Sequence, residues 1–135
     1  MSKDIVLIIG ASSDIGIDLI QNFDEDALLI AHYNSSNKSL IELSNKIDNE
    51  LVMIKADLSR EDEILSMIED IENNHGIPNK IIHLAAPKFK NIRFKDIKLD
   101  DFQNELEISL KSLIVILNKF LPKLAKEKQG KVVCM

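Results

Sequence analysis

The segment DIVLIIGASSDIG, Asp4 to Gly16, holds residue types that could grip an anion. An apolar run ends at Gly10, two serines follow, and Gly16 falls inside what reads as the first turn of a helix. Glycine at the end of a buried strand lets the backbone turn sharply. The helix after it presents unpaired N–H groups and the positive end of its dipole. Such a strand–turn–helix unit is a seat for a phosphate or pyrophosphate. Ser12 and Ser13 can cap the helix or hydrogen-bond phosphate oxygens. Asp14 is the discordant residue, because a carboxylate there repels an anion unless it turns outward and caps the helix. Gly16 permits close packing of helix on strand. The candidate seat is therefore Gly10, Ser12, Ser13, Asp14, Ile15 and Gly16.

The polar stretch Tyr33-Asn34-Ser35-Ser36 follows the second apolar run. A site for NAD wants an acidic residue about twenty positions after the glycine turn, and none is present there. No metal is expected: His83 reads as a hydrogen-bonded residue at a strand end, with no second ligand at suitable spacing. His32 and His75 read as isolated surface or loop residues.

The elements that must hold these residues alternate. Strands are expected at Ile5 to Ile9, Ala27 to Ala31, Leu51 to Ile54, Lys80 to Leu84 and Lys131 to Met135. Helices are expected at Asp14 to Phe23 and at Leu40 to Ile47. A third opens on a Ser59-x-x-Asp62 capping box, carries a stripe of Ile64, Ile68 and Ile71, and ends at His75-Gly76. A long helix runs from about Asp100 to Lys128, with a stripe of Phe102, Leu106, Leu110, Leu113, Leu117, Phe120 or Leu121, and Leu124. Pro122 should kink it or mark a break one turn earlier. The alternation predicts α/β architecture, a doubly wound parallel sheet of about five strands in the order 3-2-1-4-5, covered on both faces by helices.

The 135 residues are expected to form one domain, 1–135. An apolar share of 45% and a charged share of 29% suit a globular protein. Cys134 is the one cysteine, which excludes an internal disulfide and suggests a cytoplasmic setting. No secretory signal or membrane-length apolar run is visible, so no membrane partner is expected. Residues 1–87 hold 6 Lys/Arg against 16 Asp/Glu, and residues 88–135 hold 11 against 6. This reads as a solvated surface, or, in the basic stretch Lys88 to Lys95, as attraction for an anionic substrate or cofactor. Nucleic acid is not an expected partner, since there is no aromatic-rich basic platform.

The glycine turn resembles the Thr-Gly-x-x-x-Gly-x-Gly turn of the short-chain dehydrogenase/reductase family, with Ile9 in place of Thr and Asp14 in place of the middle Gly. Other anchors follow in order. Asp57-Leu58 resembles the family's Asp-Leu/Val pair, and His83-Leu84-Ala85-Ala86 its Asn-Asn-Ala-Gly. Ile108-Ser109-Leu110-Lys111 sits where the family has Asn-Leu/Val-x-Gly, and Gly130 to Met135 resembles the strand that leads to the catalytic Ser. The resemblance implies a Rossmann-like fold and a nicotinamide dinucleotide. The glycine turn would surround its pyrophosphate; Tyr33, Asn34 and Ser35 would lie near the adenosine ribose. Asp57 and Leu58 would flank adenine, and Leu84, Ala85 and Ala86 the nicotinamide ribose. NADP is the expected cofactor, through polar residues that could hold a 2′-phosphate, with NAD the alternative.

Family chemistry is reduction of a carbonyl or oxidation of an alcohol on a small molecule. It uses a Ser, a Tyr with a Lys four residues on, and an Asn in the long helix. Ser109 holds the Asn position. Tyr33 is the one tyrosine, and no Lys follows it at that spacing. The other catalytic residues would lie beyond Met135, so the chain reads as the amino-terminal, dinucleotide-binding portion of such an oxidoreductase. The alternative is a non-catalytic nucleotide-binding or protein-interaction module. The long helix, 100–128, is the usual subunit contact in this family, so a homo-oligomer is expected. A receiver-type switch domain is disfavoured: no acidic pair follows the first strand and no Lys the fifth.

Overall fold

Five consecutive apolar residues, Ile5 to Ile9, suit a place between two other strands and beneath two layers of helix. The computed structural model, which describes residues 3–86 and 92–135, places them there. The order of elements is β1 (Asp4–Ile9), α1 (Asp14–Gln21), β2 (Ala27–Tyr33), α2 (Lys38–Ser44), β3 (Leu51–Lys55), α3 (Glu61–Asn74) and β4 (Lys80–His83). A short 3-10 turn (Phe94–Asp96), α4 (Leu99–Glu105), a π-helical turn (Leu106–Lys111), α5 (Ser112–Lys126) and β5 (Lys131–Cys134) complete it. The sheet is parallel throughout, in the order β3-β2-β1-β4-β5, as expected from the alternation. Among the described residues no helix is long and apolar enough to cross a membrane.

Side chains of β1 alternate between two cores. Val6 and Ile8 join Ile20, Ala27, Leu29, Leu40 and Leu43 on the face covered by α1 and α2. Leu7 and Ile9 join Ile64, Met67, Ile71, Ile116, Phe120 and Leu124 on the face covered by α3 and α5. Period-two alternation along one strand thus serves two separate helical layers. Leu43 closes the first layer; Phe120, the largest fully buried side chain, fills the second.

Several boundaries differ from the sequence expectation, among them α2, which runs from Lys38 to Ser44, and α1, which ends at Gln21; three differences have a clear local reason. β2 extends to Tyr33, because Tyr33 pairs with Lys55 at the end of β3. The Ser59 capping box does not form. Ser59 spends both its N–H and its hydroxyl on the Asp57 carboxylate, and α3 starts from Arg60 with no side-chain cap. The long helix neither breaks at Pro122 nor a turn before it; α5 runs through to Lys126. Pro122 is exposed, so water can take the carbonyl that loses its donor. The irregularity comes earlier, in the π turn, where the Ser112 N–H reaches the Glu107 carbonyl five residues back.

That extra residue per turn also divides the expected apolar stripe. The buried seam of α5 is Ser112, Ile116, Phe120 and Leu124, while Phe102, Leu106, Leu110, Ile114 and Leu121 lie exposed.

Truncating the Phe120 ring should be among the costlier single changes. Phe120→Ala is expected to lose about 3–5 kcal/mol of unfolding free energy in urea titration. The exposed Phe94→Ala should stay within about 0.5 kcal/mol of the parent. Equal midpoints for the two variants would contradict this packing.

Candidate functional site

Strand order reverses between β1 and β4, and there the helices after the two strands depart to opposite faces, leaving a crevice at the carboxyl edge. Register places the ends of four strands together: Ile9 pairs with His83, and Tyr33 with Lys55. The segments singled out in the sequence therefore emerge along one edge: the glycine turn, Asn34-Ser35, Asp57-Leu58 and Leu84-Ala85-Ala86.

The glycine turn is confined on two sides by backbone. Gly10 has φ +82°, and a Cβ there would lie 2.8 Å from the Ala85 nitrogen. A Cβ on Gly16 would lie 2.4 Å from the Ala11 carbonyl oxygen. Both positions exclude any larger residue without displacement of main chain. Between them Ser13 acts as the helix cap, accepting from the Gly16 N–H at 3.1 Å while its own hydroxyl donates to the Gly10 carbonyl at 2.9 Å.

The capping role considered for Asp14 thus belongs to Ser13. Asp14 is exposed at the first position of α1. It lines a shallow depression of about 380 Å³ between α1 and α2, with Asp18, Gln21, Glu42 and Lys46 also on its wall. The helix dipole favours a carboxylate at that position.

The turn's amides divide into two groups. Gly10 N–H donates to His32 Nδ1 at 3.1 Å and Ala11 N–H to the His32 carbonyl at 2.9 Å. Gly16 N–H is held by Ser13, and Ser13 N–H reaches the Gly10 carbonyl. Among the described residues the N–H groups of Ser12, Asp14 and Ile15 have no protein acceptor. Three neighbouring donors at a helix start are the arrangement an anionic ligand needs.

His32 was expected on the surface or in a loop; it is 2% exposed, inside the extended β2. Its Nε2 lies 2.8 Å from the Ala56 carbonyl. Because Nδ1 accepts from Gly10, Nε2 must carry the proton and donate to Ala56, so one neutral tautomer satisfies both contacts. Burial holds its pKa below the ordinary histidine value, against the opposing pull of the Ala56 carbonyl. The signal available in the sequence was position alone, since His32 directly follows the continuously buried run of β2.

His83 is buried at the end of β4, as a hydrogen-bonded strand-end residue, with Nε2 2.9 Å from the Ser112 hydroxyl. Ser112 donates in turn to the Ile108 carbonyl, so His83 Nε2–H is the donor of the pair. Burial lowers the His83 pKa, and the neighbouring His32 lowers it further. Among the described residues there is no cluster of three or more His, Cys, Asp or Glu suited to a metal.

The remaining candidates sit as follows. The Asp57 carboxylate is held below its ordinary pKa by the Ser59 hydroxyl at 2.7 Å and the Ser59 N–H at 3.0 Å. Leu58 and Ala85 are buried, Leu84 and Tyr33 half-buried, and Asn34, Ser35 and Ala86 exposed. Ser109 lies in the π turn, half-buried, its hydroxyl donating to the Glu105 carbonyl. In the basic stretch, Lys88 and Lys90 lie outside the described residues, and Arg93 pairs with Asp96.

A model of the short chain dehydrogenase family matches residues 4–135. An NADPH-dependent pterin aldehyde reductase of Arabidopsis thaliana is 24% identical over 132 residues, covering 96% of this chain and 54% of that protein. A metagenomic short-chain oxidoreductase solved with NADP superposes with a TM-score of 0.86 at 18% identity, over 97% of this chain and 61% of the other. L-sorbose reductase from Gluconobacter frateurii, solved with NADPH and L-sorbose, gives 0.85 at 15% identity, over 98% and 52%. At these identities the superpositions establish the fold. The chain spans about half the length of the curated relatives it matches.

The two buried imidazoles make stability pH-dependent. Each is held neutral by the fold, so the unfolded chain takes up protons first as pH falls. Their contribution is complete above the unfolded-state value of about 6.5 and declines below it, down to the lower folded-state values. Urea midpoints are expected to be level from pH 8 to 7 and to fall between pH 6.5 and 5.5, above the range where carboxylates titrate. A level midpoint across the whole range would contradict the assigned tautomers.

Proposed function

The chain belongs to the short chain dehydrogenase family, and from that premise we propose that it binds NADP(H) along the carboxyl edge of its sheet, in the service of carbonyl reduction or alcohol oxidation on a small molecule. The observation that carries the reading is the glycine turn: two positions with no room for a Cβ beside three N–H groups that have no protein acceptor among the described residues. A pyrophosphate matches the charge and hydrogen-bond demand of those donors. The NADPH-dependent pterin aldehyde reductase and the NADP-bound oxidoreductase among its relatives support the choice of dinucleotide.

In this reading the amides of Ser12, Asp14 and Ile15 hold the pyrophosphate, with Gly10, Ser13 and Gly16 shaping the turn. Tyr33, Asn34 and Ser35 lie beside the adenosine ribose and give a 2′-phosphate hydroxyl and amide donors with no opposing carboxylate. Asp57 and Leu58 flank the adenine. Leu84, Ala85 and Ala86 line the passage toward the nicotinamide, and Ser109 takes the place of the family's helix Asn. When bound, the nicotinamide supplies or accepts the hydride. Tyr33, the one tyrosine of these 135 residues, ends β2 on the adenosine side and has no part in proton transfer. We further propose a cytoplasmic location, in keeping with a single cysteine, and one domain spanning 1–135.

The exposed stripe of Phe102, Leu106, Leu110 and Ile114 recurs every four residues along α4, the π turn and α5. We propose that a second copy of the chain covers it. Light scattering of the purified chain should report a dimer or larger, and Leu110→Glu with Ile114→Glu should shift it to monomer. A monomeric parent would reject this assembly.

Isothermal titration tests the cofactor. NADPH is expected to bind well below about 1 mM and more tightly than NADH, with Asn34→Asp reversing the order. Failure of both dinucleotides to bind below about 1 mM would overturn the reading.

A further inference from the structure

His32 is buried, carries no role in the family reading, and reaches the glycine turn from a neighbouring strand through both its ring and its carbonyl. Its ring spans two corners of the carboxyl edge, accepting from Gly10 N–H at 3.1 Å and meeting the Ala56 carbonyl at 2.8 Å. Its own carbonyl takes the Ala11 N–H. The end of β2 therefore consumes the first two amides of the turn. What is left for a ligand is the set Ser12, Asp14 and Ile15.

From this geometry we propose that His32 is the positioning residue of the dinucleotide turn, and that protonation of its Nδ1 releases Gly10 and weakens pyrophosphate binding. The inference rests on the NADP(H) reading above for its ligand, but not for the state of the turn. Neutral His32 with Nε2–H satisfies both neighbours. Protonated His32 puts an N–H at Nδ1 against the Gly10 N–H, two donors face to face at 3.1 Å. The turn cannot simply slide away, because Gly10 is pressed against the Ala85 backbone.

Among the described residues the surroundings offer the cation little beyond the Ala56 carbonyl, which already accepts from Nε2 in the neutral form. From β1 and its turn the ring meets the backbone of Gly10, and from the end of β3 the carbonyl of Ala56. Asp57, next in the chain, has its carboxylate engaged by Ser59. From β4 the titratable neighbour is His83, whose charge would oppose that of His32. The pKa of His32 is lowered by burial, so the neutral, turn-holding form dominates at neutral pH.

Two substitutions separate the ring's contacts. His32→Asn keeps an acceptor near Nδ1 and loses the reach to Ala56; His32→Gln keeps a donor near Nε2 and loses the acceptor for Gly10. ADP-ribose is the probe, since its pyrophosphate does not change charge between pH 8 and 5.5, unlike a 2′-phosphate. Circular dichroism first establishes that each variant is folded. The parent is expected to lose affinity progressively as pH falls from 8 to 5.5, by less than about tenfold at pH 5.5 because burial keeps part of His32 neutral there. His32→Asn should bind like the parent at pH 8 and stay level with pH, and His32→Gln should be weak throughout. A parent and an Asn variant that fall in parallel would overturn the proposal, as would a Gln variant as tight as the parent. Nitrogen-detected NMR of the free chain gives a second readout. The Gly10 amide resonance should move with the His32 titration, and a Gly10 resonance indifferent to it would overturn the proposal. If the parent binds neither ADP-ribose nor NADPH at pH 8, the cofactor reading falls, and the NMR titration alone decides whether His32 holds the turn.

Discussion

The main chain after β1 is enclosed by other main chain: the Ala85 nitrogen stands 2.8 Å from where a Gly10 Cβ would be, and the Ala11 carbonyl 2.4 Å from where a Gly16 Cβ would be. Two glycines six residues apart thus let the end of β1, the start of α1 and the exit of β4 occupy one small volume. The Leu84 N–H donates to the Ile9 carbonyl at 2.8 Å across the same junction. Because the contacts are backbone to backbone, no rotamer change can relieve them. The geometry of the crevice follows from this closure, and so does the alignment of the amides at the start of α1.

Around that closure, buried polar groups are paired with little redundancy. Among the described residues no buried side-chain nitrogen or oxygen lacks a hydrogen-bond partner. His32 links the turn to the end of β3, and His83 links the end of β4 to α5 through Ser112. Each ring is fixed in one tautomer by what its neighbours can offer. Ser112 has a second task. Its N–H has gone to Glu107, five residues back, and its hydroxyl returns to Ile108, the carbonyl that the π turn would otherwise strip of its donor. A π turn of this kind is stable where a side chain repairs the ladder it disrupts.

Charge follows the same economy. Asp14, which looked hostile to an anion, sits at the first helical position and on the wall shared with α2, where the dipole accepts it. Asp57 is occupied locally by Ser59 and so lends its charge to the shape of the β3–α3 corner. The seat itself is left to neutral backbone donors, which fits a ligand carrying its own negative charge.

Much of this was legible in the chain. Continuous apolar runs gave the central strands, their alternation with helical stripes gave the sheet order, and Gly10 with Gly16 marked the turn, because these depend on local periodicity and on the absence of a Cβ. Ser13 as cap, His32 as a buried link, Asp57 held by Ser59 and the π turn before Ser112 were settled only by the tertiary structure. For Ser13, Asp57 and the π turn, groups two to five residues apart compete for one partner; for His32 the outcome depends on distances across the sheet. A histidine written next to Tyr33 and Asn34 looks like loop; register carries β2 two residues further, and the pairing of Tyr33 with Lys55 draws His32 inside. Sequence determines which residues can turn, cap or fill. Which of them meet is decided by the packing of strands that are distant along the chain.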